Sequence, residues 1–465
     1  MSAKEHKPTD LTSIYRKRQK LLTANVSCLT HRSINETVAW CYEDINEHFR
    51  AISMVCLCTG WSVKKLLSDS TSVLTHKVAN AELVGLLKSS WSFPEFIPSA
   101  TNEATFESTL KEFYVLFPFI FFHSLKRMRQ HHLDPDDVEK KINQSLANLK
   151  NSAFQKVTIN RLQKHIVQTC HHFSLSSSDI DFIVDKDIKS SPHSHYGHRS
   201  LGSIYGGLKR YVESLHANIP NNGLSLPSIQ TSSSLGGNRV VSDQTVKELL
   251  NFLIQRCNSQ GSSLEQMKAI HNTYTTFVIS ILQLCTLLRP IRMNPVLLNH
   301  FEFGFKSLVI QDKGARSRRR IPICAIGQQI LTNYIDYLHA LAKKCRFLPY
   351  EISKNTDEAC KSEASFFHYF GESGIKAYTP NTHTGMIFGQ YYDLPKNWTR
   401  HKVKTVLLDA GSPPAHIKRF MGHVEDFEFN EGKFHTTSYS DLVRVSKSIN
   451  NWLHNLGVEN WKPQI

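Results

Sequence analysis

The sequence lacks any apolar run long enough to cross a bilayer. The longest such runs, Phe113–Phe122 and Phe277–Leu288, fall well short of the roughly 20 residues that a membrane-spanning helix needs. The stretch Met1–Asp10 is polar and lacks the apolar core of a secretory signal peptide. We therefore expect a cytoplasmic protein with no membrane partner.

Paired cysteines are also missing. The 10 cysteines are scattered, none of them forms a C-x-x-C pair, and many lie inside apolar runs. This pattern is typical of buried thiols in a reducing compartment, so we expect neither a disulfide framework nor a cysteine-based zinc site. The histidine-rich stretches Cys170–His172 and His193–His198 have no matching ligand pair elsewhere, and no metal is predicted.

Acidic residues are too few to balance the basic ones. The chain has 40 Asp and Glu against 55 Lys and Arg, which gives a formal net charge of +15. A basic surface attracts polyanions and gains affinity by releasing their counterions, so nucleic acid is the leading partner. A basic surface kept only for solubility is the alternative.

The chain is expected to be mostly α-helical, with a small β-sheet near its C-terminal part. Helix starts are indicated by Ser33 with Glu36 and by Asp134 before a proline, each followed by apolar residues at helical spacing. Residues 221–238 are rich in Gly, Ser, Asn and Pro, which is typical of a flexible connection. We therefore divide the chain into a helical extension (1–100), a second helical region (101–236) and a third domain (237–465).

The third domain combines helices with a hairpin. Ser242 indicates the start of its first helix. The β-rich runs at residues 301–310 and 320–323 flank a basic, glycine-containing turn, as in a hairpin. Val443–Leu456 has the spacing of an amphipathic helix and is expected to pack on its own chain, with docking on a neighbouring protomer as the alternative.

Four short stretches of this domain contain candidate functional residues. They are T-L-L-R289-P, Q-D-K313-G-A-R, N397-W-T-R400-H and M-G-H423, and a T-T-S-Y439 segment follows them. Each stretch alone is weak evidence for a catalytic role, since a lone arginine after a helix or a Gly-His pair is more often structural. Their order and spacing are more specific, because Lys313 follows Arg289 by 24 residues and His423 follows Arg400 by 23.

Together the stretches resemble the signature of the tyrosine recombinase (phage integrase) family. That signature places Arg, Lys, His-x-x-Arg, His or Trp, and a nucleophilic Tyr in this order. The likeness is strongest over residues 397–423 and extends over Ser242–Leu456. It implies an α-helical N-terminal DNA-clamping region joined to a tyrosine-recombinase-like catalytic domain of α+β type, both closing around duplex DNA.

The resemblance implies a role for each matched residue. Arg289 and Arg400 would hold the non-bridging phosphate oxygens, because arginine supplies a fixed, charged fork of donors. Lys313 would protonate the departing 5′-oxygen, and His423 would hydrogen-bond the phosphate or assist proton movement. Tyr439 would attack phosphorus and leave a 3′-phosphotyrosyl bond that conserves the energy for religation. Such a reaction needs no metal, ATP or other cofactor.

Two positions depart from the family's pattern. Asn397 stands where the family has its first His, and it can hydrogen-bond but cannot act as an acid or base near neutral pH. We expect a supporting role for it. Tyr439 lies 16 residues beyond His423, further than is usual, although it is the only tyrosine downstream of that histidine. An insertion that loops out, or one that lets Tyr439 reach a neighbouring protomer, would accommodate the spacing.

Further basic residues are candidates for DNA phosphate contacts. One group crowds the hairpin beside the signature lysine and consists of Arg316, Arg318, Arg319 and Arg320. A second group lies in the first half of the chain and consists of Lys126, Arg127 and Arg129. Solvated faces without a ligand are the alternative for either group.

The sequence thus predicts a site-specific recombinase or integrase of a mobile element in a bacterial or phage-like host cell, nucleoid-associated when bound to DNA. Family behaviour implies a homotetramer on two DNA sites, with accessory DNA-bending or directionality proteins as further candidate partners. Two alternatives stay open. One is a type IB topoisomerase, which shares the chemistry without exchanging DNA partners, and the other is a non-catalytic DNA-binding relative that has lost its nucleophile.

Overall fold

In a computed structural model of the chain, the described residues are 28–44, 47–78, 82–90, 110, 112–149, 156–186, 198–215, 226–229, 231, 233–236, 240–258, 263–289, 296–311, 318–344, 350–371, 374–378, 383, 394, 397–422, 437–458 and 461–463. They are 62% helical with small antiparallel sheets, which confirms the mostly α prediction. None of the helices within these ranges is long and apolar enough to span a bilayer. The chain passes from a first compact unit to a second one between Leu235 and Gly236.

The first unit is built around one buried helix. Its helices are α1 (His31–Glu43), α2 (His48–Thr59), α3 (Val63–Leu67), α4 (Phe122–Gln130), α5 (Pro135–Ala147), α6 (Ile159–Thr169), α7 (Ser177–Ile183) and α8 (Leu201–Ser214). Helix α2 is buried from Ala51 to Thr59, and α1, α4 and α6 pack around it. The predicted start of α5 at Asp134 is confirmed, whereas α1 begins slightly earlier than predicted, since Thr30 accepts a hydrogen bond from the Ser33 N–H.

The first unit also contains a three-stranded antiparallel sheet that the sequence did not predict. Its strands are β1 (Val73–Lys77), β2 (Leu83–Lys88) and β3 (Tyr114–Pro118), in that order. An apolar run such as Phe113–Phe122 reads equally well as a strand or as a buried helix, and here it divides between β3 and the start of α4. The described residues on either side of residue 100, where a boundary was expected, share this sheet and one hydrophobic core.

A short strand pair, β4 (His198–Ser200) and β5 (Ser234–Gly236), includes the residue at which the chain enters the second unit. The helices of that unit are α9 (Asp243–Asn258), α10 (Leu264–Thr286), α11 (Ala325–Lys344), α12 (Tyr350–Cys360), α13 (Trp398–Asp409), α14 (Pro414–Met421) and α15 (Tyr439–Asn455). Its strands are β6 (Phe301–Glu302), β7 (Ser307–Ile310), β8 (Arg319–Pro322), β9 (His368–Gly371) and β10 (Gly374–Ala377). Strands β6, β7 and β8 form one antiparallel sheet, and β9 pairs with β10.

Helix α10 is the central element of the second unit. It is buried from Thr273 to its end, and α9, α11, α13 and α15 pack around it. The predicted cap of α9 is present, because Ser242 Oγ accepts the Thr245 N–H at 3.1 Å. The predicted hairpin is the antiparallel pair β7–β8, and the predicted C-terminal helix is α15, whose apolar face lies in the same core. This frame fixes the ends of α10, α13 and α14, where the signature residues lie.

Candidate functional site

Arg400 is the buried centre of the candidate site. It lies in the first turn of α13, and only 1% of its surface is exposed. Its Nη1 donates to the carbonyl oxygen of Leu287, just after α10, and its Nη2 donates at 3.0 Å to that of Met421, the last residue of α14. One guanidinium therefore connects three of the four signature stretches.

The segment carrying Arg289 leaves α10 through a left-handed turn. Leu287 caps the helix with φ +51°, a conformation that costs a non-glycine residue of the order of 1 kcal/mol. The contact with Arg400 stabilises this turn, because a charged donor satisfies the Leu287 carbonyl inside the protein. Arg289 follows two residues later and is half-buried, so its position depends directly on this turn.

The segment that leads to His423 is fixed from the other side by Arg319. Helix α14 ends at Gly422, which has φ +67°. A Cβ built on Gly422 would lie 2.5 Å from Nη1 and 2.6 Å from Cζ of Arg319, so the guanidinium packs directly against the glycine backbone. Only glycine meets both requirements at this position, a left-handed conformation and room for a buried arginine.

The hairpin arginines divide according to the alternation of a β-strand. Arg318 and Arg320 are exposed, whereas Arg319 between them faces inward and is only 2% exposed. Arg319 is therefore a buried packing residue, and its expected place among the surface phosphate contacts is corrected. Arg320 is engaged by Glu302 on β6, with Nε 2.6 Å from Oε2 and Nη2 3.1 Å from Oε1.

Tyr439 is the first residue of α15, directly after the N-cap Ser438. Its side chain is 44% exposed and lies near Ser307 on β7. Partial burial raises the pKa of the Tyr439 phenol, the nearby Ser307 hydroxyl and the positive charge of Arg320 lower it, and the negative charge of Glu302 raises it, with a net upward shift. The phenol is therefore predominantly protonated at neutral pH.

A polar pair and a groove lie beside Tyr439. Ser307 Oγ donates at 3.0 Å to Glu302 Oε2, so the phenol lies near a hydroxyl that is bonded to a carboxylate. Beside them a groove of about 630 Å³ runs along α15 and β8, and its basic lining residues are Lys306, Arg320 and Lys447. The groove combines a phenol with positive charge.

Other signature residues are placed only in part. Asn397 is the N-cap residue of α13, and its carbonyl oxygen accepts the Arg400 N–H at 3.0 Å, so its described contact is made by the backbone. Lys313, Arg316 and His423 lie outside the described residues.

The basic residues of α4 in the first unit differ in exposure, as the hairpin arginines do. Lys126 and Arg127 are exposed on α4, as a phosphate contact requires. Arg129 instead donates at 2.8 Å to the Ser68 carbonyl oxygen and is partly buried, and this burial lowers its pKa. Arg129 therefore contacts a loop of its own unit, and its contact with DNA stays a prediction.

Several residues of the site could not be found from the sequence. Ser307 and Glu302 reach Tyr439 only because the sheet packs near α15, more than 130 residues later in the chain. Lys402 is buried and pairs at 3.0 Å with Asp243 on α9, whose same oxygen accepts the Trp452 Nε1–H at 2.8 Å. No local pattern marks these residues, because their partners lie far away in the sequence.

Comparisons with known proteins identify no relative of this chain. No protein-family model matches the chain, and neither a curated protein nor a solved structure matches it significantly.

Proposed function

We propose that the chain breaks and rejoins DNA strands through a phosphotyrosyl intermediate, as a site-specific recombinase of the tyrosine type. The observation that carries the proposal is the position of Arg400. Its two hydrogen bonds hold the segments before Arg289 and before His423 against the start of α13. Arg289 and His423 are far apart in the sequence and are predicted to act on one phosphate. The segments before them contact the same buried guanidinium.

In the proposed reaction, the Tyr439 hydroxyl oxygen attacks phosphorus and the bond to the 5′-oxygen breaks. The phenolic proton passes to the Ser307 oxygen as the Ser307 proton passes to the Glu302 carboxylate, which Ser307 Oγ already contacts at 3.0 Å. Lys313 supplies the proton for the leaving 5′-oxygen, and Arg289 with His423 contacts the phosphate. Arg400 orients these segments and completes the positive environment of the phosphate.

The proposed partner is duplex DNA, bound by exposed basic side chains such as Lys126 and Arg127 of α4 and Arg318 of the hairpin. As a recombinase the chain would act as a homotetramer on two DNA sites. Its place of action would be the cytoplasm, on the nucleoid.

A non-catalytic DNA-binding relative is the second candidate, and two observations favour it. The Arg400 guanidinium is 1% exposed and donates to two backbone carbonyls, so a phosphate can reach it only after rearrangement. The raised pKa of Tyr439 also makes its phenol a weak nucleophile until a base removes the proton.

A covalent-trapping assay tests the proposal. Wild-type protein is incubated with a chelator and DNA flanking its own gene, quenched with SDS, and examined for protein linked to 3′ DNA ends. We expect an adduct in the wild type and none with Tyr439→Phe. Tyr114→Phe is the matched control, because Tyr114 is also a half-exposed tyrosine, with its hydroxyl 2.8 Å from Glu112.

The outcomes separate the alternatives. An adduct that persists in Tyr439→Phe refutes the assignment of the nucleophile. Salt-sensitive DNA binding without any adduct supports the non-catalytic relative. Relaxation of a supercoiled plasmid that lacks a specific site supports a type IB topoisomerase.

A further inference from the structure

Two buried cysteines of the second unit are close enough to react with each other. Cys285 lies in the last turn of α10, and Cys324 lies directly before α11. Their Sγ atoms are 3.3 Å apart and share a hydrogen bond. A shift of little more than 1 Å would bring the sulfurs to disulfide bonding distance.

The surroundings make the two thiols unequal. Cys324 stands at the N-terminus of a 20-residue helix. The Cys285 thiol, together with the backbone N–H groups of Gly327 and Ile326, stabilises a Cys324 thiolate and lowers its pKa, against the opposing effect of burial. The same bond raises the pKa of Cys285. Cys324 is therefore the nucleophilic sulfur and Cys285 the proton donor.

Cys324 is also closer to solvent than Cys285 is. Cys324 lines the groove beside Tyr439, although only 3% of its surface is exposed. Cys285 is fully buried, and a Cβ on Gly327 would lie 2.8 Å from its Sγ, so α11 packs tightly over it. A small oxidant entering from the groove meets Cys324 first.

We propose that Cys324 is a hydroperoxide-reactive thiol and that Cys285 is its resolving partner. The Cys324 thiolate attacks the terminal oxygen of the hydroperoxide, the O–O bond breaks, and an alcohol (or water) leaves while Cys324 becomes a sulfenic acid. Cys285 then attacks the Cys324 sulfur, the S–O bond breaks, and water leaves with the Cys285 proton. Two thiols lose two electrons in total, and one hydroperoxide is reduced.

Other cysteines provide internal controls. Burial raises the pKa of Cys257, in the same unit, to about 12, and that of Cys360 to about 11. In the first unit, burial also raises the pKa of Cys56 and of Cys58. These thiols stay protonated at neutral pH and should react slowly. The proposal is independent of the proposed DNA chemistry, because it concerns only the thiols.

The test is peptide mapping of the full chain. The protein is treated with hydrogen peroxide at a few equivalents, remaining thiols are blocked with N-ethylmaleimide, and a non-reducing digest is analysed by mass spectrometry. We expect a Cys285–Cys324 peptide and the loss of two free thiols per chain. Linkage to any other cysteine, or no linkage in folded wild-type protein, overturns the proposal.

Two variants and a control assign the roles. In Cys285→Ser, dimedone should trap a sulfenic acid at Cys324, whereas in Cys324→Ser it should leave Cys285 unlabelled. Cys257→Ser should still form the disulfide. In the wild type, alkylation of Cys324 by iodoacetamide at pH 7 should be at least about tenfold faster than that of Cys257. Equal alkylation rates would contradict the assignment of Cys324 as the reactive thiol.

Discussion

Replacement of Gly422 by alanine tests how closely the hairpin and the end of α14 are packed. Two costs add in this variant. The left-handed conformation, φ +67°, costs alanine about 1–2 kcal/mol. The new methyl group would also lie 2.5 Å from the Arg319 guanidinium, which must move, and overpacking of this kind costs about 1–3 kcal/mol.

Gly411 provides a matched control within the same unit. It has nearly the same conformation, φ +71°, but a Cβ there would meet no atom within 4 Å. Gly411→Ala should therefore show the conformational cost alone. We expect Gly422→Ala to destabilise the second unit by about 1–3 kcal/mol more than Gly411→Ala does.

Hydrogen exchange of the α10 amides, read by mass spectrometry, measures this difference, because the central helix exchanges through opening of the second unit. An Arg319→Ala background completes a double-mutant cycle, in which the extra cost at Gly422 should disappear. Equal destabilisation by the two alanine variants would refute the packing of Arg319 on Gly422.

Three further predictions concern charge and buried donors in the second unit. Glu302→Gln removes a charge that raises the pKa of Tyr439, so the phenol should titrate at lower pH in ¹³C NMR of labelled tyrosine, and an upward shift would contradict the contact. Burial lowers the pKa of His368 from 6.5 to about 4, so the unfolded state binds the proton first as the pH falls. The free energy of unfolding of the second unit should fall by about 1–2 kcal/mol per such histidine between pH 7 and pH 5. In His368→Gln the urea concentration at half-unfolding should depend less on pH than in the wild type, and an unchanged pH dependence would contradict this reasoning. Arg400→Lys leaves one buried carbonyl without a donor and should cost about 1.5–3 kcal/mol in urea unfolding, whereas a loss below about 0.5 kcal/mol would show that the two bonds are not needed.

Elements with a local signal could be predicted from the sequence. The hairpin, the start of α5 at Asp134 and the C-terminal helix all follow from residue spacing, turn composition and capping, and the structure contains each of them. The pairing of strands Leu83–Lys88 and Tyr114–Pro118 in the first unit had no such signal, because a long connection separates them in the sequence.

The candidate site shows the same division between local and long-range information. The resemblance to a known signature selected Arg289 and Arg400, but it could not show that Arg400 binds two carbonyls inside the protein. The exposed or buried state of Arg319 depends on strand register, which a cluster of arginines does not determine. The pairing of Tyr439 with Ser307 depends on how the sheet meets α15.

Tyr439 lies in the first turn of α15, before the part of the helix that is packed in the core. Three exposed residues, Ser438 to Ser440, precede Leu442, the first residue of the helix that is anchored in the core. The first turn is held mainly by the reciprocal bonds of Ser438 and Asp441, a capping box worth about 1–2 kcal/mol. Unwinding of that single turn would move the phenol out of its groove, while the helix from Leu442 onward stays packed in the core. The position of the phenol can therefore change at a cost of about 1–2 kcal/mol without unfolding of the rest of the helix.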